Sequence, residues 1–269
     1  VEPTGVAVVT GASRGIGRAI AVDLARAGFD VVATMRDPGA GQGLADEVGT
    51  TSGSITVQHL DVDEPSSIDL PSDLRVLVNN AGIERDYLPL EHVPMDQWRD
   101  VFETNVFGLV EVTRRAIPLL RGNGGGVICS ITSSSILAAM PFYSVYRASK
   151  AAVSAMNDTL RAELAPFGIR VVEIMPGPIE SDMLFASERM AEGAQFEEYR
   201  PMAEAIYAGR LQIVDQYTPA PDAAAAIREA ILDDDGPMRY GCDPMSRGLI
   251  EMWRTNSDEA LYAAVAGAT

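Results

Sequence analysis

The stretch Val6-Ala7-Val8-Val9-Thr10-Gly11-Ala12-Ser13-Arg14-Gly15-Ile16-Gly17 decides the architecture. Its opening residues form an unbroken apolar, largely β-branched run, the pattern of a strand buried on both faces. Three glycines then sit where the strand turns into a helix, predicted from Gly15 to Gly28. Backbone without side chains lets a pyrophosphate approach the helix start, where unpaired N–H groups and the positive end of the dipole favour an anion. Gly-x-x-x-Gly-x-Gly is a variant of the dinucleotide-binding fingerprint, and the strand before it and the helix after it supply the context that a glycine triplet alone lacks.

Similar short runs recur at Asp30 to Thr34, Ile55 to Leu60, Arg75 to Asn79, Val127 to Ile131 and Arg170 to Met175. Between them lie stretches of helical periodicity, read at about Pro94 to Leu120, about Ser144 to Pro166, and Asp222 to Leu232. Strands alternating with helices predict a parallel, doubly wound α/β sheet of the Rossmann type, covered on both faces. Between Asp61 and Arg75 there is room for only one or two turns. No repeat or linker divides the 269 residues, so one domain is expected, with a long insert at about 179–219; a segment of that length is commonly functional.

Composition narrows the function classes. Hydrophobic residues make up 47% of the chain, enough for one sizeable core. A formal net charge of −17 repels phosphate backbones and anionic lipid surfaces, so neither nucleic acid nor a membrane is the expected partner. Residues Val1 to Gly5 show no leader pattern, and no run reaches the roughly 18 apolar residues of a membrane span. Cys129 and Cys242 give neither a disulfide framework nor metal-ligand spacing. No metal and a reducing, cytoplasmic setting are expected.

At the end of the second strand stands Arg36, with Arg14 at the same corner. Two guanidinium groups there suit a ribose 2′-phosphate, which favours NADP(H). Asp37 keeps NAD(H) open, because its carboxylate could turn towards the ribose instead.

Tyr146 and Lys150 lie four residues apart on a predicted helix, on one face and about 6 Å apart in rise. A phenol with a pKa of about 10 is a poor acid near neutrality, but a neighbouring ammonium stabilises the phenolate. Lys150 is the only lysine in the chain, every other Lys/Arg position being arginine. That exclusivity points to a task a planar guanidinium cannot perform, such as sharing three donors between ribose hydroxyls and a proton relay. Tyr143, about two turns from Lys150, is expected to line a substrate pocket.

Together these residues resemble the short-chain dehydrogenase/reductase family, from Val6 to about Met183. The likeness rests on Thr10-Gly11-x-x-x-Gly15-x-Gly17, Asp61-Val62, Asn79-Asn80-Ala81-Gly82, Asn105-Val106-Phe107-Gly108, Ser133, Tyr146-x-x-x-Lys150 and Pro176-Gly177, in the family's order. It implies that Tyr146 is the catalytic acid/base, Ser133 holds the reacting oxygen, Lys150 binds the nicotinamide ribose and Asn105 supports a water relay. Ser134 and Ser135 rival Ser133 by type, and the thirteen-residue spacing to Tyr146 selects Ser133. The cofactor would be held by Gly11, Ser13, Arg14, Gly15, Ile16, Gly17 and Arg36, by Asp61 and Val62 at adenine, by Asn80, Ala81 and Gly82 at the ribose, and by Pro176, Gly177, Ile179 and Ser181 at the nicotinamide. Ser181 replaces the commoner threonine, and the segment from Asp63 to Leu74 is shorter than the family's full helix.

A weaker likeness, through Ala33 to Pro38 and Arg239-Tyr240, is to the NADP-preferring hydroxysteroid and retinol dehydrogenase-like branch. It implies hydride transfer between nicotinamide and a ketone or secondary alcohol on a bulky apolar skeleton, with Ser133, Met140, Tyr143, Tyr146, Met183, Leu184 and Phe185 around the substrate. The alternative is a redox sensor or interaction protein that reads NADP(H) without turnover. The family also implies a homodimer or homotetramer, to which Ala151, Ala152, Ala155 and Met156 would contribute.

Overall fold

A computed structural model describes residues 1–138, 140–187 and 189–266. Position 188 of the expected insert and the last three residues of the expected domain lie outside the described residues. Seven parallel strands form one sheet: β1 (Val6–Val9), β2 (Asp30–Met35), β3 (Ser54–His59), β4 (Leu74–Asn79), β5 (Gly126–Ile131), β6 (Ile169–Ile174) and β7 (Arg239–Tyr240). Their order is β3-β2-β1-β4-β5-β6-β7, so the chain reverses direction between β1 and β4. The carboxyl ends of these two strands open the crevice where such sheets bind ligands.

The period-2 geometry of the strands divides the core into two layers. Ala7, Val9, Val76 and Val78 face α1 (Gly15–Ala27) and α8 (Ala220–Leu232), where Ile20, Leu24, Phe29 and Ile227 are fully enclosed. Val8 and Leu77 face the opposite layer, built on α4 (Leu109–Gly122) and α5 (Ser144–Leu164). On α4, Val112, Ala116 and Leu120 recur every four residues and form the buried stripe.

Each of the six expected strands is present. The two-residue β7 is an addition that no periodicity could signal. The Asp61–Arg75 connection holds a single short turn, Pro65–Ser67. Arg115 of α4 ties this connection down, donating to the Ile68 carbonyl at 2.9 Å, and Val62 and Ile68 pack into the α4 layer.

Two expectations need correction. The helix read from about Pro94 to Leu120 is not continuous. It runs as α3 (Met95–Phe102), then a wider π turn over Glu103–Gly108, then α4. The insert is not a plain loop either. Besides α2 (Leu44–Val48) near β3, the chain adds α6 (Asp182–Ser187) and α7 (Arg200–Leu211) within the insert, and α9 (Pro244–Thr255) and α10 (Asp258–Ala266) after β7. The neck of the insert is pinned, with Thr218 N donating to the Pro178 carbonyl at 3.0 Å and Glu180 N to the Thr218 carbonyl at 2.9 Å.

Candidate active site

The glycine turn is shaped as a cradle. Gly11 and Gly15 have φ of +65° and +55°, values that strain any residue with a Cβ. A Cβ on Gly17 would fall 2.3 Å from Asn80 Nδ2 and 2.5 Å from the Gly11 carbonyl oxygen. Asn80 Nδ2 donates to the carbonyls of Thr10 and Gly11 at 2.9 and 3.1 Å, and Thr10 Oγ1 accepts from the N–H groups of Asn80 and Ala81. The start of α1 has no side-chain cap, which leaves its first N–H groups for an anion. These features fit a dinucleotide pyrophosphate.

Arg14 leans towards Asp182 at the start of α6, 3.6 Å away, and exposed Arg36 acts on Asp63. Asp37 is committed locally, accepting from Gly39 N at 2.9 Å as the cap of a short turn. Asp61 Oδ1 accepts from Asp63 N, and buried Val62 packs where a side chain on Gly108 would stand.

Ser133, Tyr146, Lys150 and Asn105 come together at the carboxyl end of β5. Ser133 ends the extended strand, its Oγ accepting from Ser135 N at 3.2 Å and lying near enough to the Tyr146 hydroxyl to lower its proton affinity. Lys150 is buried with Nζ 5.7 Å from the Tyr146 ring centroid, donating to the Ile131 carbonyl at 2.9 Å. Burial pulls the Lys150 ammonium down to about 8. Burial, reinforced by the Glu84 carboxylate, pushes the Tyr146 phenol well above its ordinary range, and the nearby Ser133 hydroxyl only partly offsets this. In this arrangement burial favours the neutral, protonated phenol.

Asn105 explains the π turn. An amide within a helix usually faces solvent, yet Asn105 is 1% exposed. Its Oδ1 accepts from Ile83 N at 2.7 Å, and its Nδ2 donates to the Ile83 carbonyl at 2.9 Å and to Ser149 Oγ at 3.1 Å. The widened turn thus clamps the strap that follows Asn80-Ala81-Gly82. A Cβ on Gly82 would lie 3.2 Å from Asn105 Oδ1 and 3.3 Å from Lys150 Nζ, so glycine lets the strap pass over the lysine.

The Pro176–Ser181 segment completes the crevice. Gly177 N donates to Asp243 Oδ2 at 2.7 Å, buried Ile179 bridges to Thr218, and Ser181 Oγ accepts from Leu184 N at 3.2 Å. The Ser181 Cβ would stand 3.3 Å from a Cβ built on Gly15, bringing this segment against the glycine turn.

The expected substrate residues divide. Tyr143 lines a small cavity near Tyr146, about 10 Å³ in volume, together with Tyr87, Phe142, Ile206, Tyr207 and Arg210. Tyr87 and Tyr143 stack at 4.5 Å, and Arg210 of α7 lies over both rings and donates to the Tyr143 hydroxyl. Met140, Met183, Leu184 and Phe185 are not among its lining residues; Met183 and Phe185 are 38% and 52% exposed. Beyond the expected set, the structure adds Glu84, Tyr87, Arg210 and Asp243. It also adds Glu173, fully buried on β6, which accepts from Thr132 Oγ1 at 2.9 Å and pairs with Arg239 at 3.1 Å, anchoring the strand end before Ser133. A lone carboxylate inside the apolar run Val171–Ile174 was the one available signal for it.

Residues 5–192 match the short chain dehydrogenase family. The chain belongs to that family. Among its relatives is the uncharacterized oxidoreductase YusZ of Bacillus subtilis, 39% identical over 187 residues that cover 66% of this chain and 66% of that protein. Solved short-chain dehydrogenases share the whole architecture. One from Streptomyces avermitilis is 28% identical with a TM-score of 0.78, covering 98% of this chain and 95% of its own. Another, from Burkholderia cenocepacia in complex with NADP, is 25% identical with a TM-score of 0.74, covering 98% and 99%.

Proposed function

We propose that this short-chain dehydrogenase interconverts a ketone and a secondary alcohol on a bulky, largely apolar molecule, using NADP(H). The observation that carries this reading is the assembly of Ser133, Tyr146 and the chain's sole lysine at the crevice, two strands from the glycine cradle with β4 between them.

The nucleotide would be held by Gly11, Ser13, Arg14, Gly15, Ile16 and Gly17 at its pyrophosphate, by Arg36 at its 2′-phosphate, by Asp61 and Val62 at adenine, by Asn80, Ala81, Gly82, Tyr146 and Lys150 at the nicotinamide ribose, and by Pro176, Gly177, Ile179 and Ser181 at the nicotinamide. When bound it supplies or accepts hydride. Engagement of Asp37 in its own turn and the exposure of Arg36 support the phosphorylated form, as does the NADP held by the Burkholderia relative.

Tyr146 donates its hydroxyl proton to the carbonyl oxygen. Its raised proton affinity keeps it in the neutral, donating form from which reduction starts. Ser133 donates to the same oxygen and orients it, and Lys150 releases the Ile131 carbonyl to hold ribose hydroxyls. The aromatic and aliphatic lining from Tyr87, Phe142, Tyr143, Ile206 and Tyr207 supports an apolar substrate. Its water-sized volume requires α7 to yield as substrate binds. A nucleotide sensor without turnover gains no support from a site with all three reacting side chains in place.

The exposed Met95, Phe107 and Ala155 support self-association into a homodimer or homotetramer, and two free, buried cysteines support a reducing compartment such as the cytoplasm. Among the described residues no helix is long and apolar enough to cross a membrane. NADPH oxidation with a panel of bulky ketones tests the reading. Tyr146→Phe is expected to lose roughly 10² to 10⁴ in rate while still binding NADPH; equal rates in both proteins would remove the assigned acid.

A further inference from the structure

Helix α7 places Arg210 in the wall of the small cavity near Tyr146, with its guanidinium carbon 5.6 Å from the Tyr87 ring centre and 5.4 Å from that of Tyr143. The two rings stack at 4.5 Å, and the guanidinium also donates to the Tyr143 hydroxyl. Tyr143 in turn meets the Tyr146 ring edge-on at 6.4 Å, so a single ring links Arg210 to the reacting phenol. Arg189 is the other charged group of the lining, and among the described residues no carboxylate lines this cavity. Arg189 is held by Glu192 at 2.7 Å and by Asp86 at 3.6 Å. Glu84 acts on Arg210 too but is not part of the lining.

A chain with a formal net charge of −17 thus presents cations where its substrate is expected. Between apolar walls a guanidinium attracts an anion more strongly than it would in water. Its planar fork matches a carboxylate with two parallel hydrogen bonds, and adds the attraction of opposite charges to what the neutral Tyr143 hydroxyl offers. A carboxylate entering the cavity gains by replacing Tyr143 as acceptor, a neutral group of the same size gains little, and an ammonium is repelled. We propose that Arg210 is a specificity-determining residue that pairs with a carboxylate borne by the substrate. Because the Tyr143 ring stands between Arg210 and Tyr146, that carboxylate lies several bonds from the carbonyl being reduced. The assignment rests on the ketone-reductase reading and narrows it to apolar keto acids.

The test compares kcat/KM for three cyclohexanones that carry, across the ring from the carbonyl, a carboxylate, its methyl ester or an aminomethyl group, with the full chain and NADPH at neutral pH. The ratio of carboxylate to ester within each protein cancels any general loss of activity, and NADPH fluorescence reports nucleotide binding separately. The wild type is expected to prefer the carboxylate over the ester by about tenfold or more, and to use the aminomethyl ketone least. Arg210→Met, apolar and of similar reach, should bring the ratio to one or below, because the carboxylate then enters the cavity without its partner. A wild type that uses the ester as well as the carboxylate, or a ratio that persists in Arg210→Met, overturns the assignment alone. An NADPH-binding wild type that reduces none of these ketones and none of the wider panel overturns the reductase reading and this assignment with it.

Discussion

Replacing Asn105 with alanine removes three hydrogen bonds at once: two partly buried ones to Ile83 and a buried one to Ser149. At about 1 kcal/mol each, the loss is about 3 kcal/mol, and the Ile83 N–H and carbonyl are left without their side-chain partners. With an unfolding entropy of roughly 2 cal/mol/K per residue, that loss lowers Tm by about 5 °C for a chain of this length. The functional effect should exceed the thermal one, because the strap lies directly over Lys150 and a displacement of about 1 Å near reacting groups costs roughly 10²-fold in rate. Asn105→Asp should destabilise further, since it sets a buried carboxylate against the Ile83 carbonyl. Thermal unfolding followed by circular dichroism, paired with steady-state NADPH oxidation, measures both effects. An Asn105→Ala protein with unchanged Tm and unchanged kcat would refute the clamp.

Because burial holds the Lys150 ammonium at about 8, its charged form is lost as pH rises through that value, and kcat/KM should fall on the alkaline side. Lys150→Arg keeps its charge throughout, so its residual activity should lack that limb in a pH–rate profile. Arg36→Ala should raise KM for NADPH by about tenfold, the loss of one charge-assisted contact, and leave KM for NADH nearly unchanged. Equal effects on both nucleotides would place the 2′-phosphate elsewhere.

What could be read from the sequence was whatever the chain writes locally. The strands announced themselves because runs such as Val76–Val78 are buried on both faces, and the spacing of Tyr146 and Lys150 is set by one helix. Features made across long distances left little trace. Arg210 meets Tyr143 across 67 positions, and Asp243 meets Gly177 across 66. Helix α7 buries only Ala203 and Ile206, too few for a periodic stripe. The π turn was hidden because its cause, the reach of Asn105 to Ile83, is a tertiary contact.

The π turn at Glu103–Gly108 also sets the angular phase of everything after it. A residue advances an α-helix by roughly 100° and a π turn by less, so winding these same six residues as ordinary α-helix would rotate the following helix by about 100°. Val112, Ala116 and Leu120 would swing away from Leu77 and Ile128, bringing polar neighbours such as Glu111 and Arg115 round towards the sheet. The bulge is therefore a gearing element: the amide reaches the strap and the apolar stripe reaches the core only because the winding between them is out of step.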